Sequence, residues 1–258
     1  MTEQCSDREF LTPINLQLNL LQRRDGLTFG TDAYLLYAYL RRLPNGTAVD
    51  LGSGTGVVSL LCASAGVYAK IHAVELQKPF AELIARNAAS NHLSDRVSAL
   101  CRDVRELSEQ ELGRTVDAVF SNPPYLTATQ GQGNSSDEKN IARREIAGGI
   151  DDFCAAAGRI VKHGGTFTAV YRPQRICDLL FAMRRHRLEP KRMTLVYHTV
   201  SHSPCLVLVE GKKGGRAELY VTPPLILQER SEDGVLQDTA VHRQIYEKGV
   251  FPREYFCP

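Results

Sequence analysis

The sequence predicts a doubly wound α/β fold: a mostly parallel seven-stranded sheet with a terminal antiparallel hairpin and a small N-terminal extension. Two observations favour this class. Short apolar runs with strand character alternate with runs of helical length, and glycine or proline residues separate them, which is typical of parallel sheets with crossover helices. At the end of this alternation, two β-rich runs are joined by a Ser/His/Pro turn, which indicates an antiparallel hairpin at the sheet edge.

The alternation runs through residues 46–227, which we take as the core domain. The first strand leads into a glycine-rich loop, the second helix has a proline at its start, and the third helix is expected to stop at Gly164 and Gly165. The predicted strands cover residues 47–51, 70–74, 96–100, 116–120, 166–171, 192–200 and 205–210, and the predicted helices cover 57–65, 79–91, 150–161 and 175–187.

Two segments flank the core, and a third interrupts it. Residues 1–45 suggest a small hairpin followed by a helix over 32–41, in which Asp32 is predicted to be the N-cap. Residues 228–258 alternate charges with a few aromatic residues, and the sequence leaves open whether they pack on the hairpin or contact a partner. A polar insert at 127–148 follows the fourth strand, at the edge where such sheets hold ligands, so we expect it to be functional.

The composition excludes several classes of protein. Hydrophobic residues make up 43% and charged residues 23% of the chain, unlike a disordered or fibrous protein. No apolar stretch approaches the roughly 20 residues of a membrane span, and the first residues lack the pattern of a signal peptide. The seven cysteines are scattered without a C-x-x-C pair, so no metal site is expected. We therefore expect a cytoplasmic protein without a membrane or metal partner, and the oligomeric state is left open.

A glycine loop between the first core strand and the helix after it is the strongest local signal for a ligand. Glycines at positions 52, 54 and 56 allow a tight turn and a close approach of the backbone to a ligand. The G-x-G-x-G spacing differs from the G-x-G-x-x-G of dinucleotide sites because position 57 is valine. No P-loop lysine follows the glycines, so the loop predicts no nucleotide hydrolysis.

Acidic residues follow the next two strands, on the same side of the predicted sheet. Glu75 is placed to accept both hydroxyls of a ribose, and Asp103 to accept an adenine amine in the same cleft. Asp50, the three loop glycines and Glu75 resemble the class I S-adenosylmethionine-dependent methyltransferases, whose first motif is D-x-G-x-G-x-G and whose second is an acid ending the next strand. The resemblance implies a Rossmann-like methyltransferase fold and S-adenosylmethionine as the cofactor. The binding residues would be Thr31, Asp50, Gly52, Ser53, Gly54, Gly56, Glu75, Leu76, Asp103 and Asn122.

The tetrad Asn122-Pro123-Pro124-Tyr125 ends the fourth strand. Its two prolines stiffen the backbone and remove two N–H donors, so the loop presents carbonyl acceptors. Hydrogen bonds from an exocyclic amine to the Asn122 side-chain oxygen and the Pro123 carbonyl would expose the nitrogen lone pair, while Tyr125 stacks on the base. The tetrad resembles the signature of amino-methyltransferases, which implies that Asn122, Pro123, Pro124 and Tyr125 form the catalytic site of an N-methyltransferase.

Segments outside these motifs favour an adenine in RNA as the acceptor. The entry region over 20–36 and the run I-A-R-R-E at 141–145 resemble the bacterial family that methylates the adenine-37 exocyclic amine of valine transfer RNA, with Arg144 in place of the usual histidine. The resemblance extends from about residue 16 to residue 227. It implies an adenine N6-methyltransferase with a tRNA substrate.

Clusters of basic residues are the predicted contacts of the RNA backbone. Such contacts would make binding strongly salt-dependent. Paired basic residues on a helix are also common as a solvated face, so a single cluster is a weak indication. The candidates are Arg143, Arg144, Arg184, Arg185, Lys212 and Lys213, and the run at 184–192, which has six basic or histidine residues in nine, is the densest.

Three alternatives stay open. Glutamine methyltransferases that act on release factors resemble this chain in the loop and the tetrad, but they carry an N-terminal helical recognition domain for which 45 residues are too few. A catalytically silent fold that binds RNA would have no need of Asn122 or Tyr125. Pro204-Cys205 is similar to the Pro-Cys nucleophile of cytosine-5 methyltransferases, but it begins a late strand, where a packed cysteine is the simpler interpretation.

Overall fold

The computed structural model describes residues 9–14, 18–23, 30–124 and 148–256. Within these ranges lie thirteen strands, seven α-helices and two short 3₁₀ turns. The strands are β1 (Glu9–Pro13), β2 (Asn19–Arg23), β3 (Leu43–Leu51), β4 (Tyr68–Glu75), β5 (Val97–Cys101), β6 (Val116–Ser121), β7 (Val161–Tyr171), β8 (Leu188–Tyr197), β9 (Leu206–Lys213), β10 (Tyr220–Val221), β11 (Leu225–Ile226), β12 (Gln228–Arg230) and β13 (Leu236–Asp238). The helices are α1 (Thr31–Tyr39), α2 (Val57–Ser64), α3 (Lys78–Ser90), α4 (Glu109–Leu112), α5 (Ile150–Ile160), α6 (Ile176–Arg185) and α7 (Ala240–Lys248).

One large sheet organises the molecule, in the order β10-β8-β9-β7-β6-β3-β4-β5, with β11 also paired to β8. Strands β7, β6, β3, β4 and β5 are parallel neighbours, whereas β9 is antiparallel to both β7 and β8. The predicted doubly wound sheet with its antiparallel hairpin is confirmed, and its seven strands are β3 to β9. Strands β10 and β11 have two residues each and pair with β8 at the edge of the sheet. They are too short to produce a recognisable pattern in the sequence.

The two faces of the sheet bury separate parts of the core, because successive side chains of a strand point to opposite faces. On β3, Ala48 packs with residues of α1, α2 and α3, while Val49 packs with residues of α5 and α6. Both side chains are fully buried. Helices therefore cover both faces, and the carboxyl ends of the parallel strands are where such a sheet leaves room for a ligand.

The junction between α5 and β7 differs from its prediction. β7 begins directly after α5, so Gly164 and Gly165 lie inside the strand instead of ending the helix. The register of β7 against β6 shifts at this point, as in a β-bulge. A Cβ at position 165 would lie 2.7 Å from the carbonyl oxygen of Asp117. Position 165 therefore requires glycine, because two backbones approach each other closely there. In the sequence, a glycine with this role looks the same as a glycine that ends a helix.

The N-terminal segment contains the predicted hairpin and helix, with one correction. β1 and β2 pair in antiparallel fashion, and the side-chain amide of Asn87 on α3 binds both the N–H and the carbonyl oxygen of Leu21. α1 begins at Thr31, and its N-cap is Gly30. The prediction that Asp32 is the N-cap was wrong, because Asp32 is already the second helical residue.

The C-terminal segment packs on the core, on α1 and β8. The Tyr246 ring of α7 stacks on Tyr34 of α1 with 4.3 Å between ring centroids, and the Tyr34 hydroxyl donates to the Tyr246 carbonyl oxygen at 2.7 Å. Further along, Phe251 and Tyr255 are buried in the same core cluster as α1 and α2. The division of the chain at residues 45/46 and 227/228 stays a prediction, since both outer segments share this cluster with the central one.

A buried arginine joins the C-terminal segment to the sheet. Arg192 of β8 is 1% exposed, and its guanidinium donates to the carboxylate of Glu210 at 2.9 Å. It also donates to the carbonyl oxygens of Tyr39 and Tyr255, at 2.7 and 3.0 Å, and lies over the Tyr39 ring. Although Arg192 belongs to the basic run at 184–192, a side chain held in the core does not reach a phosphate.

Candidate functional site

Four neighbouring strands bring the predicted site to one edge of the sheet. β6, β3, β4 and β5 lie side by side in that order. Their carboxyl ends are level, because Leu51 pairs with both Ser121 and Val74, and Glu75 pairs with Cys101. Adjacent strands are about 4.8 Å apart, so the row spans about 14 Å. This length suits a nucleoside that carries an extended substituent.

The glycine loop is left-handed at each of its three glycines. The angle φ is +70° at Gly52, +58° at Gly54 and +84° at Gly56, values that other residues rarely adopt. Cβ atoms at positions 52 and 56 would lie 3.1 and 3.2 Å from side chains of α5 and α3, whereas one at position 54 would meet no described atom within 4 Å. The N–H groups of Gly52 and Ser53 both donate to the carbonyl oxygen of Val74 in β4, and these two hydrogen bonds fix the loop. The open side at Gly54 is therefore where a ligand can approach the loop backbone.

Asp50 lies beneath the loop. The residue is 2% exposed, and its carboxylate accepts hydrogen bonds from the hydroxyls of Ser53 and Ser59, both at 2.7 Å. Burial raises the pKa of Asp50 to about 6, although the two hydroxyls oppose that rise. The carboxylate thus ties the loop to α2, and Ser59 is a residue of the site that the sequence analysis did not single out.

We expect Asp50→Asn to change how stability depends on pH. Burial makes the ionised carboxylate unfavourable in the folded state. This destabilisation is absent below the ordinary pKa of 3.8, where the carboxyl group is protonated, and is fully present above about 6. This difference corresponds to about 3 kcal/mol. In urea unfolding, the free energy of unfolding of the wild type should fall relative to that of Asp50→Asn as pH rises from about 4 to about 6. Parallel curves over this range would show that Asp50 is not held with a raised pKa.

Glu75 links the end of β4 to the loop. Its Oε2 accepts the N–H of Gly54 at 3.0 Å, and its Oε1 accepts the N–H of Gln77 at 2.9 Å. Burial raises the pKa of Glu75, and these N–H groups oppose the rise. Each carboxylate oxygen has a second lone pair, so both can also accept a ribose hydroxyl. Leu76 follows, half-buried, and its carbonyl oxygen lies 3.7 Å from the Cys101 thiol.

Asp103, which follows β5, is held by an arginine that the sequence analysis did not consider. The Nε of Arg105 lies 2.9 and 3.0 Å from the two carboxylate oxygens, and the Arg105 backbone N–H donates to Oδ1 at 2.9 Å. The hydrogen bonds from Arg105 hold the pKa of Asp103 below its usual range. An ionised, oriented carboxylate suits an acceptor for the amine of an adenine.

The tetrad begins directly after β6, beside the loop. Asn122 is half-buried, Pro123 is buried and Pro124 is half-buried, while Tyr125 lies outside the described residues. The hydroxyl of Ser121 donates to the carbonyl oxygen at the end of β3, at 2.7 Å. This bond ties the start of the tetrad to the strand that carries the glycine loop.

The first turn of α1 orients the side chain of Asn122. The Asn122 Nδ2 donates to Oδ2 of Asp32 at 2.9 Å, and Oδ1 of Asp32 accepts the N–H of Ala33 at 2.9 Å. An ionised carboxylate only accepts hydrogen bonds, so the amide presents its NH₂ group to Asp32 and its oxygen lies on the other side. Thr31, which precedes Asp32, is exposed, and its contact with a cofactor stays a prediction.

Four of the predicted RNA contacts lie at the opposite edge of the sheet. Arg184 and Arg185 end α6, which leads to the amino end of β8, and Lys212 and Lys213 end β9, which runs against β7 and β8. Asn122 lies at the carboxyl end of β6, so the structure does not bring these residues to it. Arg184 forms a salt bridge with Glu189 at 3.2 Å, and Arg185 forms one with Asp151 at 3.6 Å. The Lys213 ammonium donates to the carbonyl oxygen of Val161 at 2.7 Å.

Two predicted RNA contacts have no described position, and one further arginine lies at the edge that carries Asn122. Arg143 and Arg144 lie outside the described residues, in the insert that follows the tetrad. Arg172 is exposed and directly follows β7, the parallel neighbour of β6. The position of Arg172 after a strand end is visible in the sequence, but a single arginine forms no basic cluster, so Arg172 was not among the predicted RNA contacts.

Cys205 is placed as a packed thiol. Its N–H and its Sγ both donate to the carbonyl oxygen of Val196, at 2.8 and 3.3 Å. Burial raises the pKa of the Cys205 thiol, which disfavours the thiolate that a nucleophile requires. Among the described residues, no group of three or more His, Cys, Asp or Glu side chains is arranged to hold a metal ion. None of the helices within the described ranges is long and apolar enough to cross a membrane.

Two curated relatives match most of the chain. A protein of Bacteroides fragilis is 25% identical over 240 residues, which cover 93% of this chain and 95% of the relative. A protein of Phocaeicola vulgatus is 26% identical over 196 residues, which cover 76% of this chain and 81% of the relative. Both relatives are named tRNA1(Val) (adenine(37)-N6)-methyltransferase.

A solved structure and a family model agree with this comparison. The crystal structure of a predicted O-methyltransferase from Agrobacterium tumefaciens aligns with a TM-score of 0.68 at 22% identity, over 86% of this chain and 98% of that one, and shows the same fold. The family model described as "Methyltransferase small domain" matches residues 24–182, more than half of the chain. The chain therefore belongs to the methyltransferase small domain family, and S-adenosylmethionine is its cofactor.

Proposed function

We propose that this protein methylates the exocyclic N6 amine of an adenine in RNA, and that the adenine is position 37 of valine tRNA. The observation that carries the proposal is the position of Asn122. It follows β6 at the carboxyl edge, beside the glycine loop, and its amide oxygen lies on the side away from Asp32. The names of the two relatives support tRNA as the substrate.

The residues at this edge suit S-adenosylmethionine. In our proposal Glu75 accepts the ribose hydroxyls and the ionised Asp103 accepts the adenine amine, with Leu76 beside the ring. The loop backbone at Gly54 faces the methionine end on its open side, and Asp50 supports the loop from beneath. When bound, S-adenosylmethionine supplies an electrophilic methyl group on a positively charged sulfur.

The tetrad activates the acceptor. The lone pair of an adenine amine is delocalised into the ring, so the nitrogen is a weak nucleophile. In our proposal the side-chain oxygen of Asn122 and the carbonyl oxygen of Pro123 each accept one amine proton, which favours a pyramidal nitrogen with an exposed lone pair. Pro124 stiffens the segment, and Tyr125 stacks on the base. The proton leaves to water after methyl transfer, so no side chain is needed as a base.

The RNA lies over the carboxyl edge in this proposal. An unpaired anticodon-loop base can enter the site at little cost in stacking. Arg143 and Arg144 in the insert and Arg172 after β7 contact the RNA backbone near the target base. Arg184, Arg185, Lys212 and Lys213 lie at the opposite edge, so they would contact a different part of a tRNA.

Two transcripts of valine tRNA, with adenine or guanine at position 37, test the proposal. The purified full chain and methyl-labelled S-adenosylmethionine are expected to label the adenine transcript, with the label in N6-methyladenosine after digestion to nucleosides. The guanine transcript should stay unlabelled. A release factor in a parallel reaction tests glutamine methylation: label in the protein and none in RNA would overturn the proposal. Label in neither acceptor, with the cofactor still bound, would indicate a silent fold.

A further inference from the structure

We infer that Asp32 is a positioning residue for the acceptor amine: it fixes the orientation of the Asn122 amide and makes its oxygen a stronger hydrogen-bond acceptor. The inference rests on the proposed function, because it concerns the same site. Asp32 lies on α1, 90 residues before Asn122, and the two side chains meet at 2.9 Å. Neither the loop nor the tetrad motif includes this residue.

The orientation follows from the chemistry of the two groups. An asparagine amide has two orientations of nearly the same shape, related by exchange of its oxygen and nitrogen. Asparagine opposite a hydroxyl or another amide can adopt either of them. An ionised carboxylate has no proton to donate, so it selects the orientation in which NH₂ faces Asp32. The other orientation would place two oxygen acceptors against each other.

Asp32 itself is held in place by its helix. Its Oδ1 accepts the N–H of Ala33, and its position in the first turn of a nine-residue helix favours a negative charge there. The same helix buries Leu35 and Leu36 completely and is stacked on α7 through Tyr34. The carboxylate therefore belongs to an element that is anchored on both sides, which is what positioning of a side chain requires.

The charge of Asp32 has a second consequence. A charge-assisted hydrogen bond polarises the amide, which makes the oxygen of Asn122 more negative. Methyl transfer develops positive charge on the acceptor nitrogen, so the interaction strengthens from the bound state to the transition state. Interactions of that kind raise kcat more than they lower KM.

Asp32→Ala, Asp32→Asn, Asn122→Ala and the double variant Asp32→Ala/Asn122→Ala test the inference with the valine tRNA transcript. Asp32→Ala is expected to lower kcat by about 10- to 100-fold, because misplacement of a positioned group by about 1 Å can lower a rate by about 100-fold. The KM for RNA and the Kd for S-adenosylmethionine should stay within about threefold. Asp32→Asn should fall between wild type and Asp32→Ala, because asparagine can accept from one orientation of Asn122 and donate to the other. Asp95→Ala removes the same charge at an exposed position and should leave the rate unchanged.

The double variant separates positioning from a structural role. If Asp32 acts through Asn122, then Asp32→Ala causes no further loss in the Asn122→Ala background. An equal factor in both backgrounds, or a Kd for the cofactor that rises as much as kcat falls, would overturn the inference. Urea unfolding shows whether Asp32→Ala is folded.

A readout without catalysis keeps this inference separate from the proposed function. In the ¹⁵N-labelled full chain, the Asn122 side-chain amide signals are identified by their loss in Asn122→Ala. They are expected to shift in Asp32→Ala in the absence of RNA. Unchanged signals would overturn the contact itself, whereas a wild-type protein that labels no RNA but shows the shift would overturn only the proposed function.

Discussion

Replacing Asn122 with alanine is expected to lower kcat for RNA methylation by about 10²- to 10³-fold, the loss usual for one group aimed at charge that develops in a transition state. The Kd for S-adenosylmethionine should change by less than about threefold, because the proposed cofactor contacts are carried mainly by β3, β4 and β5. Kinetics with the valine tRNA transcript, together with calorimetric titration of the cofactor, measure the two quantities separately.

The matched control is Asn45→Ala, the same substitution at an exposed position near the amino end of β3. It should leave both kcat and cofactor binding unchanged. Equal losses of activity and cofactor affinity in Asn122→Ala would assign Asn122 to the cofactor site alone. Activity close to wild type would contradict its role in catalysis.

Replacing Arg192 with methionine is expected to lower the free energy of unfolding by about 3 to 5 kcal/mol, the cost of removing one partner of a buried ion pair. Among the described residues, the substitution leaves Glu210 with the ion pair to Arg41, whose Nε donates to it at 2.7 Å. It also removes the donors to the carbonyl oxygens of Tyr39 and Tyr255. Urea unfolding at neutral pH measures the loss.

Arg184→Met is the matched control from the same basic run. The Arg184 side chain, which forms a salt bridge with Glu189, is exposed to solvent. The free energy of unfolding should therefore change by less than about 1 kcal/mol. The double variant Arg192→Met/Glu210→Gln should recover part of the loss, because it removes the buried carboxylate that Arg192→Met leaves paired with the exposed Arg41. Similar costs for Arg192→Met and Arg184→Met would show that burial of the Arg192 guanidinium contributes little.

The parts of the fold and site that depend on short-range pattern could be predicted from the sequence. Strand ends carry the glycine loop, Glu75, Asp103 and Asn122, and parallel topology places the ends of such strands at one edge. The order of the strands then brings the loop between Asn122 and Glu75. Local sequence and one topological rule were enough for this part of the site.

Contacts between distant segments could not be predicted in the same way. Asp32, which accepts a hydrogen bond from Asn122, is 90 residues away from it, and the local sequence of Asp32 indicates a helix cap equally well. Arg192 lies in a dense basic run, which favours a solvated surface. The sequence nevertheless contains an indication of its burial. Arg192 lies an even number of positions from Leu188, Thr194 and Val196, so its side chain points to the same, buried side of β8.

Methyl transfer to bulk tRNA tests the proposed chemistry most directly. Transfer RNA from cells that lack this protein is incubated with the purified chain and methyl-labelled S-adenosylmethionine, and is then digested to nucleosides. The proposal predicts that the label elutes as N6-methyladenosine and that Asn122→Ala removes it. Label in another nucleoside, or no label in RNA while the cofactor is bound, would contradict adenine N6-methylation by this site.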